Sequence, residues 1–318
     1  MRKSNFAVKT IPLIAFATVV MGFGAERAAQ AQIFAFQDSS HQLQIDNNGT
    51  MIATGNYMKS GTAPSTVNMY NGLYYVAYQG SNGHFWLDAN GVFYDSGQPM
   101  AGGTSPSLTI LAGVIAFGFQ GSNGHLWIGP RGIYSSEDTG GWMAGGTSPS
   151  VAALANGQLA MAFHGVNGHF WVSMTGPFNG YDTGGAMAGG TSPSIAALPN
   201  SEIFYAFQGS NGHLWGGSGN GIGGGDFGTG VYSGTSPSVG VDTNGYWYVG
   251  LWLAGLGASI GVISNAFDDY NFTITPYGGH SPSLAISGTA WELAYRCSNG
   301  YLCIESPSGF SQIGIQMN

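Results

Sequence analysis

Apolar residues in this chain alternate with small or polar ones over short stretches, which is the period of a β-strand. The most regular example is residues 207–215, where alternating residues flank the pair Asn211-Gly212. Asn and Gly both tolerate a positive φ, so this pair favours a tight reversal between two strands. Nearly the same nine residues recur at 78–86, 119–127 and 163–171. The pattern predicts a series of β-hairpins that share one kind of tip.

A second phrase, Gly-Thr-Ser-Pro-Ser, alternates with the hairpins and begins at Gly103, Gly146, Gly190 and Gly234. Matched positions in successive hairpins lie 41 to 44 residues apart. Worn copies near residues 33–45, 248–260 and 293–304 extend the series to seven. A fixed period of this length indicates a repeat architecture, so the chain has to be interpreted as one array.

Each unit is predicted to contain four short strands. In the fourth unit they cover residues 150–154, 159–164, 169–174 and about 178–183, and Gly184-Gly185 closes the unit. No segment keeps a 3.6-residue apolar period, so we expect essentially no helix after residue 31. Units of about 40–45 residues with four strands are typical of propellers. We therefore predict an all-β fold, a seven-bladed β-propeller of four-stranded antiparallel blades.

The two ends of the array leave ring closure open. The phrase ending in Ser-Pro-Ser, or its variant Ala63-Pro64-Ser65, occurs six times, so the first unit lacks its first strand. Either the ring closes with a short first blade, or the tail at 309–318 fills the gap beside residues 33–37. The termini have to meet in either case, because an open edge strand invites aggregation.

The amino-terminal segment predicts export. A basic start precedes an apolar run from Ile11 to about Gly24 and then Ala29-Gln30-Ala31, which is the arrangement of a secretory signal peptide. An uncleaved anchor is the alternative, although the run is short for a bilayer span. We assign residues 1–31 to the leader and 32–318 to one propeller domain. We expect a secreted protein, extracellular or periplasmic, whose mature chain does not insert into a membrane.

The low content of basic residues limits the classes of binding partner. Charged residues make up 7% of the chain, and the net charge is −8. Beyond the leader, only Lys59, Arg131 and Arg296 are strong bases. Nucleic acids and anionic membrane surfaces need a basic footprint. We therefore expect no nucleic-acid partner.

The two cysteines, Cys297 and Cys303, lie in the last hairpin. In the aligned copies Cys297 stands where the others have Gly, and Cys303 stands where they have Trp. A bare glycine lets an indole ring lie across the hairpin, and here both members of the pair change together. In an exported protein this predicts a cross-strand disulfide. Cys-x5-Cys with no nearby His is a poor metal site, so we expect no bound metal.

The two repeated phrases should lie on one face of the ring, because the four strands of a unit alternate in direction. One interpretation is structural, with Gly and Pro setting dihedral angles and Ser and Thr hydroxyls satisfying backbone groups between blades. The other is that the face carries several shallow polar pockets, since turn geometry does not require His. For the tryptophans, core packing between blades is the alternative. The candidate ligand-binding residues are His84, His125, His169, His213, Asn82, Asn123, Asn167, Asn211, Trp86, Trp127, Trp171 and Trp215.

Ser-Pro-Ser followed by a strand and by aromatic-x-Gly-x-Asn-Gly-His-x-Trp resembles the repeats of the bacterial PLL-like (Photorhabdus lectin-like) propellers. It also resembles tectonin-type repeats. The resemblance covers about residues 33–318 and implies a seven-bladed lectin with sugar sites between blades, often for fucose or O-methylated sugars. This chain departs from the expected repeat where a basic residue should precede the Gly, since Gln79, Gln120 and Gln208 stand there and only Arg296 is basic. We expect the sixth and seventh units to lack a site.

The candidate residues suit neutral sugars, because imidazole and amide groups bond hydroxyls while aromatic faces stack on sugar C–H surfaces. We therefore expect a multivalent carbohydrate-binding protein with glycan partners, without catalysis and without a cofactor. A secreted polysaccharide hydrolase or lyase and a protein-interaction propeller are the alternatives. No pattern brings Asp268-Asp269 and Glu292 together, and no helix follows the glycine-rich stretch 219–224, as a dinucleotide site would need.

Overall fold

The computed structural model describes residues 33–47, 50–69, 73–129, 136–174, 180–219, 224–254, 259–265, 270–272 and 280–317. These ranges contain strands and turns and no helix, so none of them holds a helix that could cross a membrane. The predicted leader at 1–31 and the Asp268-Asp269 pair lie outside the described residues, as does most of the glycine-rich stretch at 219–224.

The strands form seven antiparallel sheets in chain order. Blade 1 has three strands, β1 (Ile33–Gln37), β2 (Gln42–Asn47) and β3 (Thr50–Tyr57). The other blades have four strands each: β4 (Ser65–Asn68), β5 (Tyr74–Gln79), β6 (His84–Ala89) and β7 (Val92–Pro99) in blade 2; β8 (Ser107–Leu111), β9 (Val114–Gln120), β10 (His125–Gly129) and β11 (Glu137–Trp142) in blade 3; β12 (Ser150–Ala153), β13 (Leu159–His164), β14 (His169–Met174) and β15 (Tyr181–Ala186) in blade 4; β16 (Ser194–Ala197), β17 (Ile203–Gln208), β18 (His213–Gly219) and β19 (Gly225–Gly230) in blade 5; β20 (Ser238–Val241), β21 (Trp247–Leu253), β22 (Ser259–Ser264) and β23 (Tyr270–Phe272) in blade 6; β24 (Ser283–Ser287), β25 (Ala290–Arg296), β26 (Tyr301–Ser306) and β27 (Gly309–Gln316) in blade 7. The predicted seven-bladed propeller is confirmed.

Apolar residues fill the space between neighbouring blades. Phe85 of blade 2 stacks on Phe117 and Phe119 of blade 3, with ring centroids 4.4 and 5.2 Å apart. The second strand of a blade is therefore apolar on both faces, and all six residues of β13 are buried. Burial of one such side chain is worth about 1.5–3 kcal/mol, so the contacts between blades contribute strongly to stability.

The hairpin tips are confirmed, but their geometry differs from the predicted tight reversal. In blade 4, Gly168 N–H donates to Gly165 O at 2.8 Å, and Gly168 has φ of +82°. Asn167 keeps a negative φ. The tip is thus a four-residue turn that ends on a left-handed glycine, in which Gly alone needs the positive φ.

The fourth strand of the unit begins and ends about three residues later than the sequence pattern predicts. Its observed range in blade 4 is Tyr181–Ala186, not about 178–183. Gly184, expected to close the unit, lies inside this strand at φ +72°. It belongs to a bulge where the register shifts between His169 and Trp171, which lets the strand continue until Ala186 pairs with His169.

Serine hydroxyls join the blades through what we call the serine belt. In blade 4, Ser148 Oγ accepts the Ser105 amide of blade 3, and Ser150 Oγ accepts the Ile195 amide of blade 5. Equivalent bonds run from Ala63 to Ser281. The structural interpretation of Ser-Pro-Ser is therefore correct. Ala63 stands at the start, where no preceding Ser-Pro-Ser supplies an amide that a hydroxyl there would accept.

The ring closes with a short first blade. The tail does not fill the gap beside β1, because β27 is the outer strand of blade 7 and pairs with β26. Its end reaches blade 1, where Met317 bridges Asp38 and the Ser39 amide donates to Gln316 O at 3.0 Å. Met58, Met100, Met143 and Met187 make the same bridge between other blades.

Candidate functional site

The two repeated phrases meet at the junction between neighbouring blades. The Ala144 amide, on the connection leaving blade 3, donates to His164 O at the end of β13 in blade 4. The Val166 amide at the next tip donates to Trp142 O. Each hairpin tip is therefore held by the preceding blade, on what we call the repeated face. This placement agrees with the expectation from strand direction.

A compact polar cluster organises each of four tips. In blade 4, Asn167 Oδ1 accepts the Trp171 indole N–H at 3.0 Å and the His169 amide at 3.2 Å. Asn167 Nδ2 donates to Asp182 Oδ2 at 2.8 Å. His169 Nδ1 lies 3.0 Å from Asp182. An ionised carboxylate only accepts hydrogen bonds, so the Nδ1 atom carries the proton and Nε2 is the remaining polar atom of the ring.

The same four residues recur in blades 2, 3 and 5 with nearly the same distances. The His Nδ1–carboxylate separation is 2.9–3.0 Å in all four blades. The structure thus brings together every His, Asn and Trp that the sequence marked as a candidate, blade by blade. We refer to each group as a tip cluster; the members are Asn82, His84, Trp86 and Asp95; Asn123, His125, Trp127 and Asp138; Asn167, His169, Trp171 and Asp182; Asn211, His213, Trp215 and Asp226.

Sequence reasoning missed the aspartates. Each occurs in an Asp-x-Gly segment of the outer strand and accepts the amide of the glycine two residues on, as Asp182 does from Gly184 at 2.8 Å. The recurrence of Asp-x-Gly was a usable signal. Its distance from the histidine changes from 11 residues in blade 2 to 13 in the others, which hides it from an alignment on the hairpin alone.

Hydrogen bonds hold these carboxylates in the ionised form. Burial acts to raise the pKa of Asp95, Asp138 and Asp182, but bonds from the glycine amide, the asparagine and the histidine outweigh it and lower the pKa. For Asp226 the amide of Gly228 is the main cause of the lowered pKa. The negative charge beside each imidazole is therefore present at neutral pH.

The tryptophans pack within the hairpin, as the Gly–Trp pairing predicted. A Cβ on Gly165 would collide with the Trp171 ring at Cδ1 and Nε1. Trp171 also stacks on Phe163 at 6.0 Å and packs against the core between blades 3 and 4. Its N–H is already bonded to Asn167. The indole is thus mainly a structural wall, and the outward polar atom of the cluster is the imidazole Nε2.

Two other blades carry altered tips. In blade 7 the disulfide Cys297–Cys303 replaces the Gly–Trp pair, with Cα atoms 5.8 Å apart, and Asn299 donates to Gln312 instead of to an aspartate. In blade 1, Asp38 accepts the Ser40 and Gln42 amides. The tip of blade 6 lies outside the described residues. The tip of blade 7 thus lacks the indole and the aspartate of the other tips, and the absence of a binding site there stays a prediction.

The position before the Gly points into the protein. Gln120 is 1% exposed, and its Nε2 donates at 3.1 Å to Ala144 O on the connection that leads to blade 4. Gln79, Gln208 and the buried His164 make comparable bonds. Glutamine here ties blades together, so the absence of a basic residue at this position says nothing about the outer surface.

A cavity of about 320 Å³ lies away from the tips, among the connections between the first and second strands of blades 3 to 6. Its lining includes Ile110, Leu154, Leu198 and Asp242. None of these residues belongs to a tip cluster. In the described part of the chain, no group of three or more His, Cys, Asp or Glu side chains could hold a metal.

Together these features define a seven-bladed β-propeller with four polar clusters of the same composition on one face, and its fold is similar to that of known lectins. A variant of the Aleuria aurantia lectin bound to Fucα1-6GlcNAc is 11% identical, with a TM-score of 0.58 over 80% of this chain and 95% of that chain. AofleA from Arthrobotrys oligospora is 13% identical, with a TM-score of 0.54 over 90% of both chains.

The propeller fold also occurs outside lectins. A puromycin hydrolase variant is 9% identical, with a TM-score of 0.53 over 89% of this chain and 51% of its own. The Aleuria aurantia lectin has six blades, whereas this chain has seven. No family model and no curated sequence matches the chain, so the PLL-like and tectonin-type resemblance remains one of motifs. Identities this low show the fold alone.

Proposed function

We propose that the protein is a secreted, multivalent carbohydrate-binding protein without catalytic activity. The observation that carries the proposal is that one cluster of Asn, His, Trp and Asp side chains occurs four times on a single face. The clusters of blades 2, 4 and 5 present an imidazole Nε2 on a ring that Asp and Asn hold in place. Weak equivalent sites on one face gain avidity when they engage a repeated ligand. The structurally similar lectins bind fucosides, which makes fucosides the first sugars to test.

The repetition favours binding over hydrolysis. A polysaccharide hydrolase would need one asymmetric pocket with two carboxylates placed together. On the repeated face each described cluster holds a single carboxylate, and that carboxylate accepts bonds from His, Asn and a glycine amide. The histidines are therefore best suited to orient a hydroxyl.

A glycan array that includes fucosides, probed with the purified mature chain, tests the proposal. We expect binding that falls in steps as His84, His169 and His213 are changed to Ala singly and together. His164→Gln is the matched control, because it removes a buried histidine and installs the residue that other blades carry there. No binding of any glycan by the wild-type chain would overturn the proposal.

Secretion is tested separately from sugar binding. Expression of the full chain in an exporting host should yield a processed product in the periplasm or medium, with Gln32 as its first residue. Mass spectrometry with and without reduction should also show the Cys297–Cys303 disulfide. An unprocessed, membrane-retained product would favour the uncleaved anchor.

A further inference from the structure

The four tip clusters are not equivalent, because blade 3 carries an exposed tryptophan beside its histidine. Trp142 is the last residue of β11 and pairs with His125 across the strands. The residues at the same position beside the other three histidines are Pro99, Ala186 and Gly230. Trp142 is 58% exposed, an unusual state for the largest apolar side chain.

The Trp142 ring covers the imidazole. The two ring centroids are 4.2 Å apart and the planes meet at 78°, an edge-to-face contact. The His125 side chain is 20% exposed, against 35% for His84 and 42% for His213. His125 Nε2 is buried and makes no hydrogen bond within the described residues. Blade 3 therefore cannot present its imidazole as the other three clusters do.

A second apolar side chain extends this surface. The Val166 amide donates to Trp142 O across the junction between blades 3 and 4, and Val166 is 68% exposed. The same position in the other clusters is occupied by serine, at Ser81, Ser122 and Ser210. Trp142 and Val166 thus lie next to each other on the repeated face as a small apolar patch, at a junction where the other three clusters have a smaller residue and a serine.

We propose that this patch is a distinct sugar subsite, in which the Trp142 ring stacks on the apolar C–H face of a pyranose; the inference rests on the carbohydrate-binding function proposed above. An exposed ring that already packs against His125 offers a preformed surface at little entropic cost. Two side chains are far too small for a stable protein interface, which buries about 1,200 Å² or more in total. One sugar ring matches the area of one indole.

The subsite makes blade 3 bind by stacking, while blades 2, 4 and 5 bind through the imidazole. The two kinds of site should therefore respond differently to the sugar. Removal of an equatorial hydroxyl at the rim of the pyranose should matter little to blade 3, whereas methylation of hydroxyls should weaken binding at the imidazole sites first.

Titration with methyl α-L-fucopyranoside, followed by tryptophan fluorescence and calorimetry, tests the subsite, with the best array ligand as a second probe. Trp142→Ala should remove one class of site and weaken its binding about tenfold or more, as loss of an aromatic anchor does. Trp142→Phe should retain part of it, and Val166→Ser should weaken it less. Tyr57→Ala is the matched control, since Tyr57 is an exposed aromatic at the same register position in blade 1.

A variant that adds a tryptophan to another blade complements the loss of Trp142. Ala186→Trp places an indole beside His169 in blade 4, and it should add one stacking site to the measured stoichiometry. If Trp142→Ala binds sugars with unchanged affinity and stoichiometry, the subsite is overturned while carbohydrate binding stands. If the wild-type chain binds no sugar in any format, both the subsite and the proposed function fall.

Discussion

Asn167 shows how one short side chain organises a hairpin tip. Its oxygen accepts two N–H groups, and its nitrogen donates to Asp182. Removal of the amide takes away the acceptor of the indole N–H and one of the donors to Asp182. Both groups can form hydrogen bonds with water instead, because the tip is exposed. The residue that sequence reasoning marked as a ligand contact is therefore first a structural element.

Asn167→Ala should lower the free energy of unfolding by about 1 kcal/mol, the usual net worth of such hydrogen bonds. Urea denaturation at neutral pH measures the loss. Asn156→Ala is the comparison, because Asn156 makes only local bonds to Gln158 in a turn away from the tips. Equal losses in the two variants would contradict the organising role of Asn167.

Asp88 behaves in the opposite sense to the tip aspartates. It is fully buried at the end of β6, and burial raises its pKa to about 6, against the opposing effect of the Gly91 amide bonded to its carboxylate. A raised carboxyl pKa stabilises the folded state below the unfolded value, near 3.9. That contribution is lost as the pH rises through about 6.

Asp88→Asn keeps an acceptor for Gly91 and removes the buried charge. The variant should gain stability over the wild type as the pH is raised from 4 to 7, with most of the gain between about pH 4 and 6 and little above that. Urea denaturation across this range, taken as the difference between the two proteins, isolates the effect. A difference that does not change with pH would show that Asp88 does not titrate in this window.

At the scale of the element, the hairpin is built on the contact between a bare glycine and an indole ring. A Cβ at Gly209 would collide with Trp215 at Cδ1 and Nε1. In blade 7 a side chain occupies the same position only because the facing residue is also changed, to give Cys297–Cys303.

Gly209→Ala should therefore destabilise the fold by about 1–3 kcal/mol, because it displaces the ring. The cost should be smaller in the Trp215→Ala background, where the collision is gone. A double-mutant cycle by urea denaturation measures the coupling, expected to be about 0.5 kcal/mol or more. Additive effects would mean that the ring does not limit this position.

Much of this element was predictable, because its determinants are local. The period of the strands, the Asn-Gly tips and the joint change at Cys297 and Cys303 can all be found within a few residues. Asp182 was missed because its partners lie on another strand, and because the connection between the third and fourth strands differs in length from blade to blade. The exposure of Trp142 could not be predicted either, because an apolar residue at the end of a strand can point to either face of the sheet.

At the scale of the whole molecule, the serine belt joins the blades by hydrogen bonds between neighbours. Each first serine accepts the amide of the preceding blade, as Ser148 does from Ser105 at 2.9 Å. Blade 1 lacks the strand that would carry the phrase, and it is joined to blade 2 by other bonds, such as Gln37 Nε2 to Lys59 O at 2.9 Å.

Ser148→Ala should cost about 1–2 kcal/mol, because it leaves the Ser105 amide without its acceptor in a partly buried place. Ala63→Ser, the same position at the start of the belt, should change stability by less than about 0.5 kcal/mol. Thermal and urea unfolding of the two variants check this contrast. A stabilising effect of Ala63→Ser comparable to the loss in Ser148→Ala would show that the belt continues through blade 1.

The unmatched ends of the belt have a consequence for how such a ring changes in size. In every unit between Ala63 and Ser281, a serine hydroxyl accepts an amide of the preceding unit, and the amide of that serine donates to the hydroxyl of the next unit. A whole unit can therefore be duplicated or deleted without leaving an amide unpaired. Blade 1 is different, because it lacks the strand that would carry the Ser-Pro-Ser phrase. Changes in the number of blades are therefore expected among the interior units, whereas blade 1, where the two ends of the chain meet, has to be retained.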